Sequence, residues 1–424
     1  MKAAILTIGD EVLIGQVINT NASYISRQLF SIGIPVERVV TIPDTEKDII
    51  SEFRKAFSAY DIVIATGGLG PTHDDITIKC IAIFFKMDLI LHKPTLNKIK
   101  KSFRRRKLVF PENNIAQAMM PSSAEIFENK AGSAPGILLK KRKKIFFAMP
   151  GVPHEMELIT RNHLIPYLQK HKIKSRNNGV LIQRTLHTIG IPESLLSKKL
   201  GNLNEIVRRN KSYELKLAFL PSNYEVRLRI TISANTTRKA NELINSAIKL
   251  IKQRAGNYIY STDESPIEQA VGKLLKRKKL TIAIAESCTG GLVCSKLTNI
   301  SGSADYLMNG IVSYSNESKK RLLGVKQQTL KTYGAVSERV AKEMADGIRK
   351  RSKTDIGIST TGIAGPTGAT PGKPVGLVWI GYSDKDVTFA KDFIFTKDRL
   401  RNKEIMSKMA LEIVRRKLLK IEIR

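Results

Sequence analysis

The sequence is short of the residue types that most often announce a function. Only six of its 424 residues are histidine, the last of them His187, so the whole stretch beyond that point has no imidazole. Three cysteines, Cys80, Cys288 and Cys294, are odd in number and lack metal-ligand spacing, which excludes a disulfide framework and a cysteine metal cage. No apolar run reaches the roughly 18 residues of a membrane span. The opening Met1–Leu13 is apolar too briefly and turns acidic too soon for a signal peptide, so the cytoplasm is the expected compartment. Acids are scarce as well: 38 against 71 basic residues leaves a net charge of +33. Such a balance points to polyanions. The excess is spread along the chain, however, with small clusters at Phe103–Lys107, Lys140–Lys144 and Lys276–Lys279. None is interleaved with aromatics or set in a zinc knuckle or helix-turn-helix pattern. Solvated faces are the expectation, anionic nucleotides fit the charge equally well, and a nucleic-acid groove is not expected.

The length suggests about three domains, and 42% hydrophobic residues is ordinary for a globular protein. The first third alternates two periodicities. Met1–Gly9 reads as a strand, Ala22–Ser31 as a helix with Ile25, Leu29 and Ile32 at core spacing, and Pro35–Ile42 as a second strand. Asp44 and Thr45 cap a helix over Glu46–Ser58, and Asp61–Thr66 is a third strand. This rhythm predicts a parallel α/β sheet with right-handed crossovers. Ligands of such sheets sit beyond the carboxyl ends of the strands.

Two clusters fall at such ends, Gly9-Asp10-Glu11 and Gly67-Gly68-Leu69-Gly70-Pro71-Thr72-His73-Asp74-Asp75. Gly67, Gly68 and Gly70 let backbone approach a phosphate, and Thr72 adds a hydroxyl. Asp74 and Asp75, with Asp10, are hard ligands for a Mg²⁺-like ion placed between acid and phosphate. The plainer alternative is a tight turn in which Asp74 or Asp75 caps the next helix. His73 reads as a loop residue. The strand Ile145–Met149 ends in another such turn, Pro150–Glu155.

After a polar stretch, Lys172–Asn178, comes a small α+β segment: strands at Val180–Ile189, Glu214–Leu220 and Tyr224–Ser233, and helices at Pro192–Leu200 and Ala240–Arg254. It carries no evident chemistry and no Gly-x-x-Gly clamp, so its expected role is architecture. A helix at Pro266–Lys276 then leads to the buried-type strand Leu280–Ile284, which runs into Ala285-Glu286-Ser287-Cys288-Thr289-Gly290-Gly291 and a helix over Leu292–Leu297. A strand turning into a helix gathers backbone N–H groups and a positive helix end. Here the turn also holds two nucleophiles, Ser287 and Cys288. Ser/Thr/Gly turns recur at Ser313–Ser318 and Thr360–Pro366. Together they predict a pocket of hydroxyls and N–H donors, with Thr289, Thr361, Gly362 and Gly365 as candidate substrate contacts.

That inventory favours metal-free acyl transfer. Ser287 would attack a carboxamide carbonyl while the N–H groups of Gly290 and Gly291 hold the oxyanion. With no histidine after His187, a Ser-His-Asp triad is excluded from this segment. Lys319 is the remaining base, provided burial depresses its pKa; the alternative is a solvated helix residue beside Lys320 and Arg321. Cys288 is the rival nucleophile, a thiolate activated at a helix start. Cys294 reads as core, and the chain closes with a basic amphipathic helix after Asp398-Arg399.

Asp10-Glu11, Gly15-Gln16, Asn19–Asn21, the GGLGPTHDD stretch from Gly67 and the PGVPHEM stretch from Pro150 resemble the amino-terminal half of the CinA (competence/damage-inducible protein A) family. That resemblance implies a molybdopterin-binding-like fold and ADP-ribose pyrophosphatase activity dependent on a divalent metal (Mg, Mn or Co). One departure is Ala116, before Gln117-Ala118, where members often carry a basic residue; an altered pyrophosphatase is the expected consequence. The stretches AESCTGGL, YSNESK, LLGV, GAVSERVA, TGIAGP and KPVG are similar to the family's carboxy-terminal domain. They imply a nicotinamide-nucleotide amidohydrolase that converts NMN to nicotinate mononucleotide and ammonia without a cofactor. The family's Ser-Lys pair falls on Ser287 and Lys319, with Tyr314 beside them and Arg399 as a partner for the NMN phosphate. The linking segment matches a module compared with KH folds. The expected architecture is α/β: a parallel/mixed three-layer molybdopterin-binding-like domain (1–170), a small α+β linking domain (171–260) and a second α/β domain (261–424). Relatives suggest a homodimer acting on small nucleotides.

Overall fold

Six consecutive buried residues, Ala3–Ile8, form the strand at the heart of the first sheet. The computed structural model describes residues 1–70, 72, 75–171, 180–206, 208–209 and 213–423. The chain divides into two units, one of Met1–Ile182 with Ser233–Ala240 and one of Gln183–Ile232 with Asn241–Arg424. Of the residues singled out above, Pro71, His73, Asp74 and the stretch Lys172–Asn178 lie outside the described residues.

In the first unit a six-stranded sheet runs Val36–Ile42, Ala3–Ile8, Ile62–Thr66, Lys144–Met149, Gly136–Lys141, Glu125–Phe127. The first four strands are parallel and the last two antiparallel. Side chains alternate between the faces of a strand, and here both faces are apolar, as a sheet covered on both sides requires. Leu6, Val63 and Phe146 pack with Ile49 and Phe53 of helix Glu46–Ala59 on one face. Ile5, Ile64 and Phe147 pack with Ile25 and Leu29 of helix Thr20–Ser31 on the other. This is the expected three-layer, parallel/mixed arrangement. Asn19 and Thr45 cap the two helices, accepting from Ala22 N at 3.0 Å and Asp48 N at 3.4 Å.

The second unit holds two five-stranded sheets. One, ordered Arg208–Arg209, Tyr213–Ser222, Glu225–Ala234, Val180–Ile189, Ile259–Ser261, belongs to the linking segment. In it Val226, Leu228, Ile230 and Ile232 are buried at the period of two that a half-covered strand shows. The other runs Leu307–Val312, Ile282–Glu286, Ile356–Gly362, Leu377–Ser383, Thr388–Ile394, parallel through the first three and antiparallel through the last two. Its central strand again serves two cores. Ile282 and Ile284 pack with Val271, Ile405 and Met409, and Ala283 and Ala285 with Val340, Met344 and Ile348.

The closing helix, Arg399–Leu418, departs from the expected basic amphipathic helix. Thirteen of its twenty residues are buried, Glu412, Arg415 and Arg416 among them. The charges go inside because they satisfy one another. Glu412 accepts from Arg415 Nε at 2.6 Å and from Arg416 Nε at 2.7 Å, while Arg415 also donates to the Asn257 carbonyl at 2.7 Å. Among the described residues no helix is long and apolar enough to cross a membrane.

Removing one member of a buried ion pair strands the other and costs about 3–5 kcal/mol. Glu412→Ala is therefore expected to lower the stability of this unit by that order in denaturant unfolding. Lys55→Ala, which breaks an exposed pair with Glu52, is expected to cost under about 1 kcal/mol.

Candidate functional site

Strand Ile282–Glu286 delivers Ser287 to the sheet edge between two parallel neighbours, and both hold it there. Ser287 N donates to the Thr360 carbonyl at 2.9 Å, and Ser313 N donates to the Glu286 carbonyl at 2.8 Å. The chain then turns through Gly290 and Gly291, with φ of 61° and 96°. That left-handed region suits glycine. Helix Leu292–Thr298 follows. The side chain that fixes this turn is Glu286, fully buried. Its carboxylate accepts from Gly291 N at 2.9 Å, Val293 N at 3.1 Å and Cys294 N at 2.9 Å, satisfying N–H groups that a helix start leaves open.

The turn brings Ser287 against Lys319. The serine is 8% exposed and the lysine 1%. Lys319 lies on helix Asn316–Leu323, which is capped by Ser315 Oγ accepting from Ser318 N at 3.0 Å. Its Nζ sits 3.0 Å from Ser287 Oγ, 2.9 Å from the Ser313 carbonyl and 3.2 Å from the Tyr314 carbonyl. Among the described residues no carboxylate pairs with it, and burial holds its pKa below the ordinary lysine value. In the neutral form two N–H bonds serve the two carbonyls and the lone pair faces the serine hydroxyl. This is the geometry of a base addressing a nucleophile.

Other expected contacts sit differently. Gly290 N donates to the Ser287 carbonyl at 3.1 Å and Gly291 N to Glu286, so the turn itself takes both proposed oxyanion donors. Among the described residues, the backbone–backbone hydrogen bonds of this turn include none donated by Cys288 N or Thr289 N, the two amides next to Ser287, and the Cys288 N–H lies against its own thiol. The Thr289 hydroxyl bonds that of Thr360 at 2.7 Å, and the Thr361 hydroxyl donates to the Ala335 carbonyl at 2.7 Å. Gly362 packs against the strand Leu377–Ser383, where a Cβ would crowd Val378 at 2.9 Å. Tyr314 meets the lysine through its carbonyl only. Its phenol is 64% exposed and accepts from Arg399 Nη2 at 3.1 Å, and Arg399 Nη1 donates to the Gly365 carbonyl at 2.8 Å. The expected activation of Cys288 is reversed: the thiol is buried, and desolvation pushes its pKa up to about 12. Cys294 packs against the core and is likewise pushed up by burial.

Two residues escaped the sequence reading. Glu286 was signalled only by being the lone acid before the nucleophile. Lys403 stands one turn beyond Arg399 on the same helix face, at the i,i+4 spacing that marks neighbours. Its Nζ is 3.4 Å from where a Cβ on Gly290 would be, so a second cation reaches the Ser287 turn.

The second cluster lies at the strand ends of the first unit. Gly67 and Gly68 have φ of 109° and 64°, and a Cβ on Gly67 would collide with the Ile8 carbonyl. Thr77 begins helix Thr77–Phe85, its N donating to the Gly68 carbonyl at 3.1 Å. Among the described residues its buried hydroxyl has no partner, nor does the buried Asn21 Oδ1. A partnerless buried hydroxyl beside a glycine turn suits a phosphate oxygen. Asp75 accepts from Thr72 N at 2.8 Å and from the Thr72 hydroxyl, closing the loop around Gly70. Asp10 N donates to Asp44 Oδ2 at 2.9 Å, and Asp10 Oδ1 accepts from Asp44 N at 3.3 Å. Asp10 and Asp75 are oxygen donors of the type a hard cation takes. Among the described residues, however, no three acidic, His or Cys groups converge on a metal position.

Three family patterns cover nearly the whole chain: a probable molybdopterin binding domain at 4–170, the damage-inducible protein CinA KH domain at 183–261 and the CinA C-terminal domain at 264–418. A putative competence-damage inducible protein of Caldicellulosiruptor saccharolyticus is 41% identical over 419 residues, covering 99% of this chain and all of the relative. A CinA-like protein of Kosmotoga olearia is 42% identical, covering 99% of both chains. A solved CinA structure from Thermoplasma acidophilum is 34% identical over 41% of this chain and 98% of its own, with a TM-score of 0.37.

A thiol at about 12 holds on the order of a thousandfold less thiolate near neutral pH than an ordinary cysteine. Cys288 is therefore expected to resist iodoacetamide in the folded protein and to label fully in guanidinium, read by peptide mass. Rapid labelling of the folded chain would return Cys288 to the role of nucleophile.

Proposed function

The chain belongs to the CinA family, and we propose that its carboxy-terminal segment, residues 261–424, deamidates nicotinamide mononucleotide to nicotinate mononucleotide and ammonia. The observation that carries this reading is the 3.0 Å approach of the buried Lys319 amine to Ser287 Oγ. Neutral Lys319 takes the hydroxyl proton as Ser287 Oγ bonds to the carboxamide carbon. The N–H groups of Cys288 and Thr289 receive the carbonyl oxygen as it gains charge. When the tetrahedral adduct collapses, the C–N bond breaks and Lys319 returns the proton to the departing ammonia. Water, deprotonated by the same amine, then hydrolyses the ester and frees Ser287. Arg399 and Lys403 supply positive charge for the phosphate of the nucleotide.

For residues 1–170 the reading is hydrolysis of the ADP-ribose pyrophosphate. The Gly67-Gly68 turn and the Thr77 hydroxyl would receive phosphate oxygens, and Asp10, Asp74 and Asp75 would hold a divalent cation (Mg, Mn or Co). Such a cation supplies charge neutralisation at phosphorus and an acidified water.

Ammonia release from NMN in EDTA tests the first activity. Ser287→Ala is expected to lower kcat by at least about 10³-fold, Lys319→Met by about 10²–10⁴-fold, and Cys288→Ala only slightly. Because burial lowers the Lys319 pKa, kcat should rise with pH to a plateau, with its midpoint below the ordinary lysine value. Losing a charge-assisted bond worth about 1.5–3 kcal/mol, Arg399→Ala should raise KM for NMN by about 10- to 100-fold. Amidase activity that vanishes in EDTA, or survives in Ser287→Ala, would sink this mechanism. Release of AMP from ADP-ribose is expected to stop in EDTA and to fall in Asp75→Asn. Metal-independent AMP release would overturn the second reading.

A further inference from the structure

The first unit contains a cavity of about 840 Å³ whose wall is unusually cationic. Its volume lies within the range of small-molecule sites. Helix Lys93–Arg105 contributes Lys98, Lys101 and Arg105, spaced i, i+3, i+7 along one face. Arg106 follows directly, and Lys130 faces them from the loop after Glu125–Phe127. The helix is held in this orientation from another side. Phe103 packs edge-on to Phe110 at 5.6 Å, and Lys100 lies over the Phe110 ring at 5.5 Å.

Only Lys98 is neutralised there, by Glu128 at 3.2 Å. Among the described residues no carboxylate comes within ion-pair distance of Lys101, Arg105, Arg106 or Lys130. The other acid of the wall, Glu155, accepts from the buried Asn129 amide at 2.5 Å. Four cations that have no ion pair among the described residues repel each other around one cavity, and an anion relieves that repulsion.

Glu155 of the wall also ties the cavity, along the chain, to the glycine turn at the strand ends. Glu155 is in the first turn of helix Pro153–Ile159. Gly151, just before that helix, packs on Gly67, where a Cβ would lie 3.3 Å from the Gly67 Cα. The segment Gly151–Glu155 thus bridges the Gly67-Gly68 turn and the cavity wall that carries Arg105 and Arg106, and a ligand with its pyrophosphate at the turn would have to span that segment to reach them. Two adjacent guanidinium forks suit the three oxygens and near-double negative charge of a phosphomonoester.

We propose that Lys101, Arg105, Arg106 and Lys130 form a subsite for a phosphomonoester, so that this unit takes nucleotides bearing a terminal phosphate in addition to their pyrophosphate. The proposal builds on the nucleotide reading of the first unit, so binding is measured, not turnover. The test is calorimetric titration of the full-length protein with ADP-ribose and with ADP-ribose 2′-phosphate, for wild type and for Lys101→Gln/Arg105→Gln/Arg106→Gln. All three side chains are exposed, so folding is expected to persist, and Arg105→Gln alone serves if the triple variant does not fold.

The expected result is that wild type binds the 2′-phosphate at least tenfold more tightly than ADP-ribose and that the variant erases the difference. Equal affinities in wild type, or a preference that survives the substitutions, overturns the proposal. If only the 2′-phosphate binds and the variant loses it, the subsite stands and the ADP-ribose reading falls. If neither ligand binds, both fall. A variant that keeps the 2′-phosphate preference but loses affinity for a single-stranded oligonucleotide would make the wall a nucleic-acid patch and overturn the subsite.

Discussion

An amine buried with no carboxylate beside it is an expensive thing to keep charged, and the carboxy-terminal site depends on that expense. Lys319 is offered two carbonyl oxygens and one hydroxyl. These satisfy N–H donors but do not replace the counter-charge that water and its ions would give an ammonium. Burial therefore drives the group toward its neutral form, the form able to accept a proton from Ser287. A carboxylate in the same place would have strengthened the fold and removed the base. The buried Glu412–Arg415 pair in the closing helix shows that this chain can pair charges where stability is the object. At Lys319 it does not.

Everything around the amine serves to keep that geometry still. Ser287 is hydrogen-bonded to one neighbouring strand through Thr360, and the residue before it to the other through Ser313. The Glu286 carboxylate binds Gly291 and the start of the next helix, and none of its bonds falls on the N–H groups of Cys288 and Thr289. On the proposed reading a division of labour within six residues follows: an acid for architecture, a serine for chemistry, two amides for charge, two glycines for the turn. Burial then silences Cys288, so two potential nucleophiles in succession need not compete.

Much of this was legible in the chain. Continuous apolar runs located Ala3–Ile8 and Ile282–Glu286, because buried parallel strands must be apolar on both faces, and the 3.6-residue period located Thr20–Ser31 and Glu46–Ala59. The absence of histidine after His187 left Lys319 as a candidate base with a solvated residue as the alternative, the family resemblance paired it with Ser287, and its Nζ lies 3.0 Å from Ser287 Oγ. What stayed hidden depended on where side chains turn in space. Whether Gly290 and Gly291 keep free N–H groups is decided by the path of the Glu286 carboxylate, which no spacing rule reveals. The basic composition of Arg399–Leu418 resembled a solvated face because a sequence does not show that Glu412 sits within reach of two arginines. For the glycine loop of the first unit, the placement of Asp10, Asp75 and the unpartnered Thr77 hydroxyl could not be foreseen from the GGLG pattern alone.

The closing helix joins two otherwise separate matters. Its first two turns carry Arg399 to Tyr314 and Gly365 and Lys403 to the Ser287 turn, while its last turns anchor Arg415 on the Asn257 and Ile259 carbonyls of the linking segment. At about 1.5 Å per residue, the span from Arg399 to Arg415 is roughly 24 Å. The first turn of the helix is fixed as well, by the Asn402 amide donating to the Ala364 and Thr396 carbonyls. The helix is thus held at both ends, and on the proposed reading the linking segment would be one of two supports that set where a nucleotide's phosphate is met.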